Sequence, residues 1–338
     1  MEIKVSLPRG WGENPSLRPF LERNGTLQGH DIFCDGQRNA ADAWIVFDDV
    51  DPEDNRCVVP RNRLFLVTAE SVWADDYWLN AARASFLEQF PVVSSSHYAN
   101  HPGYLRNPPF LPWMVHGNHG SVWAPHRLDL QALRDLEPPE KTNELSVICS
   151  NKAGHPGHRV RLDFVRRLKN HFGERLHWFG NGINPLDEKI DGLASYKATI
   201  AIENQIRPDL YTEKLIDPLL SYTVPLYAGA PNVSDYFDLP NEWKIDLRDF
   251  SGSIEKIEEL LSSDFSESTI DALLANRATA LGEAHFLKRV ADLVESTAPS
   301  AADREEIFLT QLAKPRAAGR LTKKSVGKLL SRVRNLLG

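Results

Sequence analysis

Short runs of Val, Ile, Leu and Phe alternate along the chain with longer stretches in which apolar residues recur every three or four positions. Residues 3–7, 43–47, 63–68 and 91–94 read as buried strands, and 74–90 as a helix. A proline-rich stretch at 107–113 and a polar segment at 124–142, with Pro125, Pro138 and Pro139, then break the pattern. It resumes with strand 145–149, helix 160–172, and strands 176–179 and 199–203. Helix 212–220, strands 223–227 and 243–246, and helices 253–262 and 267–294 follow. Strands that alternate with helices imply parallel sheets covered on both faces. The expected fold is α/β, as two Rossmann-like domains: residues 1–140, residues 141–300, and a separate tail at 301–338.

Composition narrows the class. At 338 residues there is room for two cores, and 42% hydrophobic with 25% charged residues describes an ordinary globular protein. No apolar run approaches eighteen residues, so no membrane-spanning helix is expected. The opening Met-Glu-Ile-Lys-Val reads as a first strand and not a signal peptide, which places the expected location in the cytoplasm. Cys34, Cys57 and Cys149 are odd in number and widely spaced, and read as buried free thiols.

Charge is uneven. The formal net is −7, yet from Thr310 onward stand Lys314, Arg316, Arg320, Lys323, Lys324, Lys328, Arg332 and Arg334 with no acid. Removing those eight leaves the first 309 residues near −15, which disfavours nonspecific nucleic-acid binding. In the tail Leu321, Val326, Leu329, Leu330, Val333 and Leu337 form largely one helical stripe with the basic residues mainly opposite. That pattern suits an anionic membrane surface, whereas a solvated disordered tail is the alternative.

Candidate chemistry gathers at two strand–loop–helix junctions. Ala201-Ile202-Glu203-Asn204 ends an apolar strand, a turn follows at Pro208-Asp209, and Thr212-Glu213-Lys214 opens a helix. Free backbone N–H groups and the positive helix end suit such a junction to phosphates and sugars. Glu213 can accept from ribose hydroxyls and Lys214 can neutralise phosphate. The second junction runs from Ser150-Asn151 through a loop with Gly154 and Gly157 to Arg159 and Arg161. A guanidinium fork binds two diphosphate oxygens at once.

Glu203-Asn204, the run Tyr211-Thr212-Glu213-Lys214, and Val224-Pro225 with Gly229 and Pro231 resemble, in order and spacing, the donor-binding signature of family 10 glycosyltransferases, the α-1,3/1,4-fucosyltransferases. Leu210 stands where that family has tyrosine, and Tyr211 where it has a β-branched residue. The resemblance implies two Rossmann-like domains facing across a cleft, the GT-B arrangement. It also implies an inverting enzyme that moves a sugar, L-fucose from GDP-fucose, to a hydroxyl of a cell-surface glycan. It places Arg161 and Lys214 on the diphosphate, Glu213 on the ribose, and Asn204 in the donor pocket. Ser150 and Tyr211 are further donor-binding candidates.

An inverting transfer needs a carboxylate to take the acceptor's proton. Glu70, just beyond the apolar strand at 63–68, is the candidate that the resemblance supports, with Asp75 and Asp76 competing. One Arg and one Lys can stabilise the leaving nucleoside diphosphate, so neither a metal nor another cofactor is expected. His97, His101, His116, His119 and His126 are spaced too loosely for a zinc site. Trp11-Gly12 and the tryptophans at 44, 73, 78, 113 and 123 suit either carbohydrate stacking or core packing. Two alternatives stand beside the fucosyltransferase reading: a GT-B transferase for another nucleotide sugar, motivated by Leu210, and a non-catalytic glycan- or nucleotide-sugar-binding protein at the membrane.

Overall fold

The computed structural model describes residues 1–7, 26–27, 29–34, 38–68, 81–97, 100–110, 115, 130–262, 264–297 and 303–311. Their order begins with β1 (Glu2–Ser6), β2 (Thr26–Leu27), β3 (His30–Phe33), β4 (Ala43–Phe47), β5 (Arg56–Pro60), β6 (Leu64–Val67), α1 (Ala81–Leu87), β7 (Val92–Ser95) and β8 (Tyr104–Arg106). Seven of these strands form one sheet in the order β2-β3-β1-β4-β6-β7-β8. All its neighbours are parallel except the short β2–β3 pair.

The central strands are apolar throughout because successive side chains feed opposite faces and both faces are covered. Ile45, Phe47, Phe65 and Val67 enter one core cluster, while Trp44, Val46, Leu64 and Leu66 enter another. A one-residue slip in register would exchange these sets, so the alternation fixes the pairing.

The chain continues with α2 (Leu130–Arg134), β9 (Asn143–Ile148), α3 (Pro156–Phe172), β10 (Leu176–Phe179), β11 (Tyr196–Ile202), α4 (Glu213–Leu220) and β12 (Val224–Ala228). Strands β9 to β12 form a second, wholly parallel sheet in the order β10-β9-β11-β12. Leu162, Val165 and Leu168 of α3 and Leu215 and Leu219 of α4 share its core with Leu145, Ala198, Ile200 and Leu226. Two parallel α/β sheets thus stand where the sequence expects two Rossmann-like domains.

The chain then returns. Helices α5 (Phe250–Leu261) and α6 (Glu267–Leu281) stay with the second sheet, but α7 (Phe286–Glu295) and β13 (Arg304–Phe308) do not. Phe286, Leu287, Val290, Leu293 and Val294 complete a core face of the first sheet, with the Phe286 ring 5.0 Å from Phe47. Buried Arg63 donates to the carbonyls of Val294 at 2.9 Å and Thr297 at 2.8 Å. Strand β13 pairs antiparallel with β5. Residues 286–297 and 303–309, assigned from the sequence to the second domain and the tail, therefore pack on the first.

Three expected elements differ. The apolar residues at 243–246 form no strand: Asn241–Trp243 is a 3-10 turn, and Lys244 makes one isolated parallel bridge to Tyr227. Trp243 is fully buried, so its side chain anchors a loop as firmly as it would a strand. The helix expected over 267–294 is two helices, separated at Gly282, and His285 caps the second by accepting from the Leu287 N–H. Of the helix expected over 74–90, α1 is the described part. The sequence pattern does not anticipate strands β2, β3, β5, β8 and β13; β2 and β8 are only two and three residues long, and β13 is rich in charge. The three cysteines are free; Cys57 and Cys149 are buried and Cys34 half-buried.

Candidate functional site

The strand ends of the second sheet meet the starts of α3 and α4, and one buried carboxylate organises the meeting. Glu203 follows β11 and is 2% exposed. It accepts from the Thr212 N–H at 2.8 Å and from the Thr212 hydroxyl at 2.8 and 3.0 Å, with Lys214 Nζ 3.6 Å away. Thr212 in turn caps α4, its Oγ1 accepting from the Lys214 N–H at 3.3 Å. Strand end, helix cap and lysine are thereby held as one unit. Gly229 of the next loop passes so close that a Cβ there would sit 2.7 Å from Glu203 Cγ and 2.0 Å from Tyr227 Oη. Only glycine fits.

Lys214 Nζ also contacts Glu213 Oε1 at 2.9 Å and Thr212 Oγ1 at 3.1 Å. Burial lowers the Lys214 pKa, but Glu213 and Glu203 outweigh it and raise the net value, keeping the ammonium charged. Burial raises that of Glu203, with Lys214 opposing.

Arg161 lies one turn into α3, 8% exposed, and donates through Nη1 to Asn204 Oδ1 at 2.7 Å. This bond ties the α3 junction to the loop after β11. Among the described residues the buried Arg161 Nε finds no hydrogen-bond partner, and neither does the buried Nδ1 of His158, three residues earlier. Residues three apart share a helix face. Burial, then the charges of Arg161, His155, Lys152 and Lys214, push the His158 pKa down to about 4, so the ring is neutral at pH 7. The Arg161 Nε–H is an unused donor on a fixed cation, which is what an anionic ligand requires.

The loop between Asn204 and Thr212 is held from outside. Asp209 is buried with a left-handed backbone, φ 64°. Its carboxylate accepts from Arg106 Nε at 2.5 Å and Nη2 at 2.7 Å, Asn232 Nδ2 at 2.8 Å and Tyr236 Oη at 2.7 Å. Arg106 ends β8 of the first sheet.

The structure thus brings Arg161, Asn204, Glu213 and Lys214 to one place. Ser150 is half-buried in the loop after β9, its carbonyl accepting from the Cys149 thiol at 3.5 Å. Tyr211 is a correction to the expected donor contacts: its ring is 5% exposed and packs on Tyr236 and Phe237, with centroids 5.2 Å away in both cases. A ring between two aromatics serves the core. Glu70, its competitors Asp75 and Asp76, Trp11-Gly12, and Trp73, Trp78, Trp113 and Trp123 lie outside the described residues. So do His116, His119 and His126 and the basic tail beyond residue 311. Trp44 is fully buried in the core. His101 bridges the Leu87 carbonyl and the Gly103 N–H, and His97 contacts Ser96. Sequence reasoning missed His158 and Arg106. The first was passed over in a histidine-rich loop, and the second acts on a residue 103 positions away.

A parallel α/β domain with two basic helix starts at its strand ends is a Rossmann-like binding domain for an anionic ligand. Residues 138–269 match the family described as Glycosyltransferase family 10 (fucosyltransferase) C-term. It is 26% identical over 215 residues to the alpha-(1,3)-fucosyltransferase FucT of Helicobacter pylori, covering 55% of this chain and 44% of that protein. It is 37% identical over 164 residues to GDP-fucose protein O-fucosyltransferase 3 of Gallus gallus, covering 43% of this chain and 34% of that one. The chain spans less than half the length of these relatives. A crystal structure of an alpha1,3-fucosyltransferase with GDP superimposes with a TM-score of 0.49 at 18% identity, over 88% of this chain and 92% of that one.

The depressed His158 pKa has a thermal consequence. Between pH 6.5 and about 4 the unfolded chain takes a proton on this ring that the folded chain refuses, so this residue makes acidification destabilising in that window and is silent above it. His158→Gln is expected to flatten the fall in melting temperature between pH 6.5 and 4 relative to the parent while matching it at pH 7.5. Parallel profiles for the two proteins would show that the folded state does not exclude this proton.

Proposed function

We propose that the protein is an inverting glycosyltransferase that moves L-fucose from GDP-fucose to a hydroxyl of a cell-surface glycan. The observation that carries this reading is the convergence of Arg161, Asn204 and Lys214 at two helix starts, inside the stretch that matches family 10. Names of the relatives, which specify fucosyl transfer and GDP-fucose, support the donor.

Cleaving the bond between the sugar's C1 and the diphosphate oxygen puts negative charge on the leaving group as the sugar becomes oxocarbenium-like. Arg161 and Lys214 supply fixed positive charge where that charge develops, so little reorganisation is needed during reaction. Glu213 accepts from the ribose, and Asn204, bonded to Arg161, shapes the donor pocket. Glu70 takes the proton of the acceptor hydroxyl. No metal is required on this reading, because the two fixed cations serve the diphosphate. The alternative of another nucleotide sugar is favoured by Leu210, whose buried side chain offers no hydroxyl where the family has tyrosine.

A transfer assay with GDP-fucose and an oligosaccharide acceptor, run in excess chelator, tests the reading. Turnover is expected without added metal, and Glu70→Gln is expected to lower it about 10²–10⁴-fold. Activity abolished by chelator and restored only by manganese or magnesium would contradict the charge-only mechanism, and an unaffected Glu70→Gln would remove the base.

The basic tail is proposed to hold the enzyme at the cytoplasmic face of an anionic membrane, each Lys or Arg near the surface contributing about 1 kcal/mol before screening. Liposomes rich in anionic lipid should sediment the full chain and not a truncation at Leu312, more so at low salt. Equal sedimentation of both would favour a solvated tail.

A further inference from the structure

Non-glycine residues with positive φ are uncommon, and those that persist are held by their surroundings and gather at functional sites. Asp209 is such a residue, and what holds it comes from two other parts of the chain. Its own N–H donates to Asn232 Oδ1 at 2.8 Å, while its carboxylate accepts from Asn232 and Tyr236 in the loop after β12. The remaining contact is a two-pronged bond from Arg106, 57% exposed, to a carboxylate only 4% exposed. A forked pairing fixes direction as well as distance, which a lysine could not do.

Both ends of this bond lead to the proposed chemistry. On one side, the Asp209 turn sets the path into Thr212, Glu213 and Lys214, with the Leu210 N–H reaching the Arg207 carbonyl at 3.4 Å. On the other, Arg106 lies in register with Ser95 of β7, and Ser95 Oγ accepts from Thr68 Oγ1 at 3.1 Å. Thr68 directly follows β6, two residues before Glu70. The path from the base-bearing strand end to the donor loop is therefore short and polar: Thr68, Ser95, Arg106, Asp209.

We infer that Arg106 and Asp209 are an interdomain positioning pair that fixes the donor loop against the strand end carrying the proposed base, and so governs turnover rather than diphosphate affinity. On the proposed function the diphosphate is held by Arg161 and Lys214, and these side chains keep their own anchors, Asn204 for the first and Glu203 with Thr212 for the second, when the pair is broken. Alignment of a base on one sheet with a sugar held on the other does need it, and effective alignment is sensitive to about an ångström. The kinetic part of this inference rests on the proposed function; the structural part does not.

The test uses the full chain, with Arg106→Ala and Arg106→Lys. The Arg106 side chain is largely exposed, so its removal opens no core cavity. Hydrogen exchange of the segment 204–212 is expected to quicken at least tenfold in Arg106→Ala, with Arg106→Lys between the two because it keeps the charge and loses the fork. Unchanged exchange would overturn the pair as a positioning device. In the transfer assay, kcat should fall at least tenfold in Arg106→Ala while the Kd for GDP stays within twofold. A loss of GDP affinity equal to the loss of turnover would show that the pair shapes the diphosphate site itself and would overturn the inference, as would an unchanged kcat. If the parent protein transfers no sugar, the proposed function fails, and exchange at 204–212 alone decides the structural part.

Discussion

One carboxylate with almost no access to water holds the site together. Among the described residues the Glu203 carboxylate finds its partners in Thr212 and Lys214, nine and eleven residues ahead. A buried acceptor left unsatisfied costs about 1–3 kcal/mol, more if charged, so the loop must close back onto the strand end. That closure caps α4 at Thr212, and the helix start in turn sets Lys214 Nζ among Thr212, Glu213 and Glu203. Deleting this interaction would release the helix cap, the lysine and the loop together.

Electrostatically the site is an arrangement of mutual restraint. Lys214 is balanced by Glu213 and Glu203, while among the described residues Arg161 forms no salt bridge and donates to the neutral amide of Asn204. His158 stays neutral because its neighbours are positive. The surplus positive field therefore lies on the α3 side, where Arg161 Nε and His158 Nδ1 also have unused hydrogen-bonding capacity. A diphosphate would bring the charge and the acceptor oxygens that this side lacks.

Much of this was legible in the sequence, for reasons that differ by residue. Strand β4 reads as continuous Ala-Trp-Ile-Val-Phe because both faces of a parallel sheet are buried, and it was placed to the residue. The Thr-Glu-Lys helix start was equally clear, since capping is a local interaction. Lys214 is legible because it sits at that start; Arg161 is legible as a basic residue following a glycine-containing loop, although its helix begins five residues earlier, at Pro156. Long-range contacts were the part that local patterns could not carry. Strand β13, Arg-Glu-Glu-Ile-Phe, is mostly exposed and reads as loop until β5 supplies its partner. The break between α6 and α7 is set by the return of Phe286 to the first sheet, which no local signal announces. Tyr211 is a donor candidate through its place in the Tyr-Thr-Glu-Lys run, but Tyr236 and Phe237 claim its ring. Asp209 looked like an ordinary turn residue because its partner Arg106 belongs to the other sheet.

The central claim is that Arg161 of the second sheet's first helix binds a nucleoside diphosphate through charge. Calorimetric titration of GDP into the parent protein and into Arg161→Ala, both in excess chelator, addresses it with no acceptor and no turnover. The expected result is saturable one-site binding to the parent, weakened by roughly 2 kcal/mol in the variant, the size of a charge-assisted hydrogen bond. GDP affinity unchanged by the substitution, or absent from the parent, would contradict it.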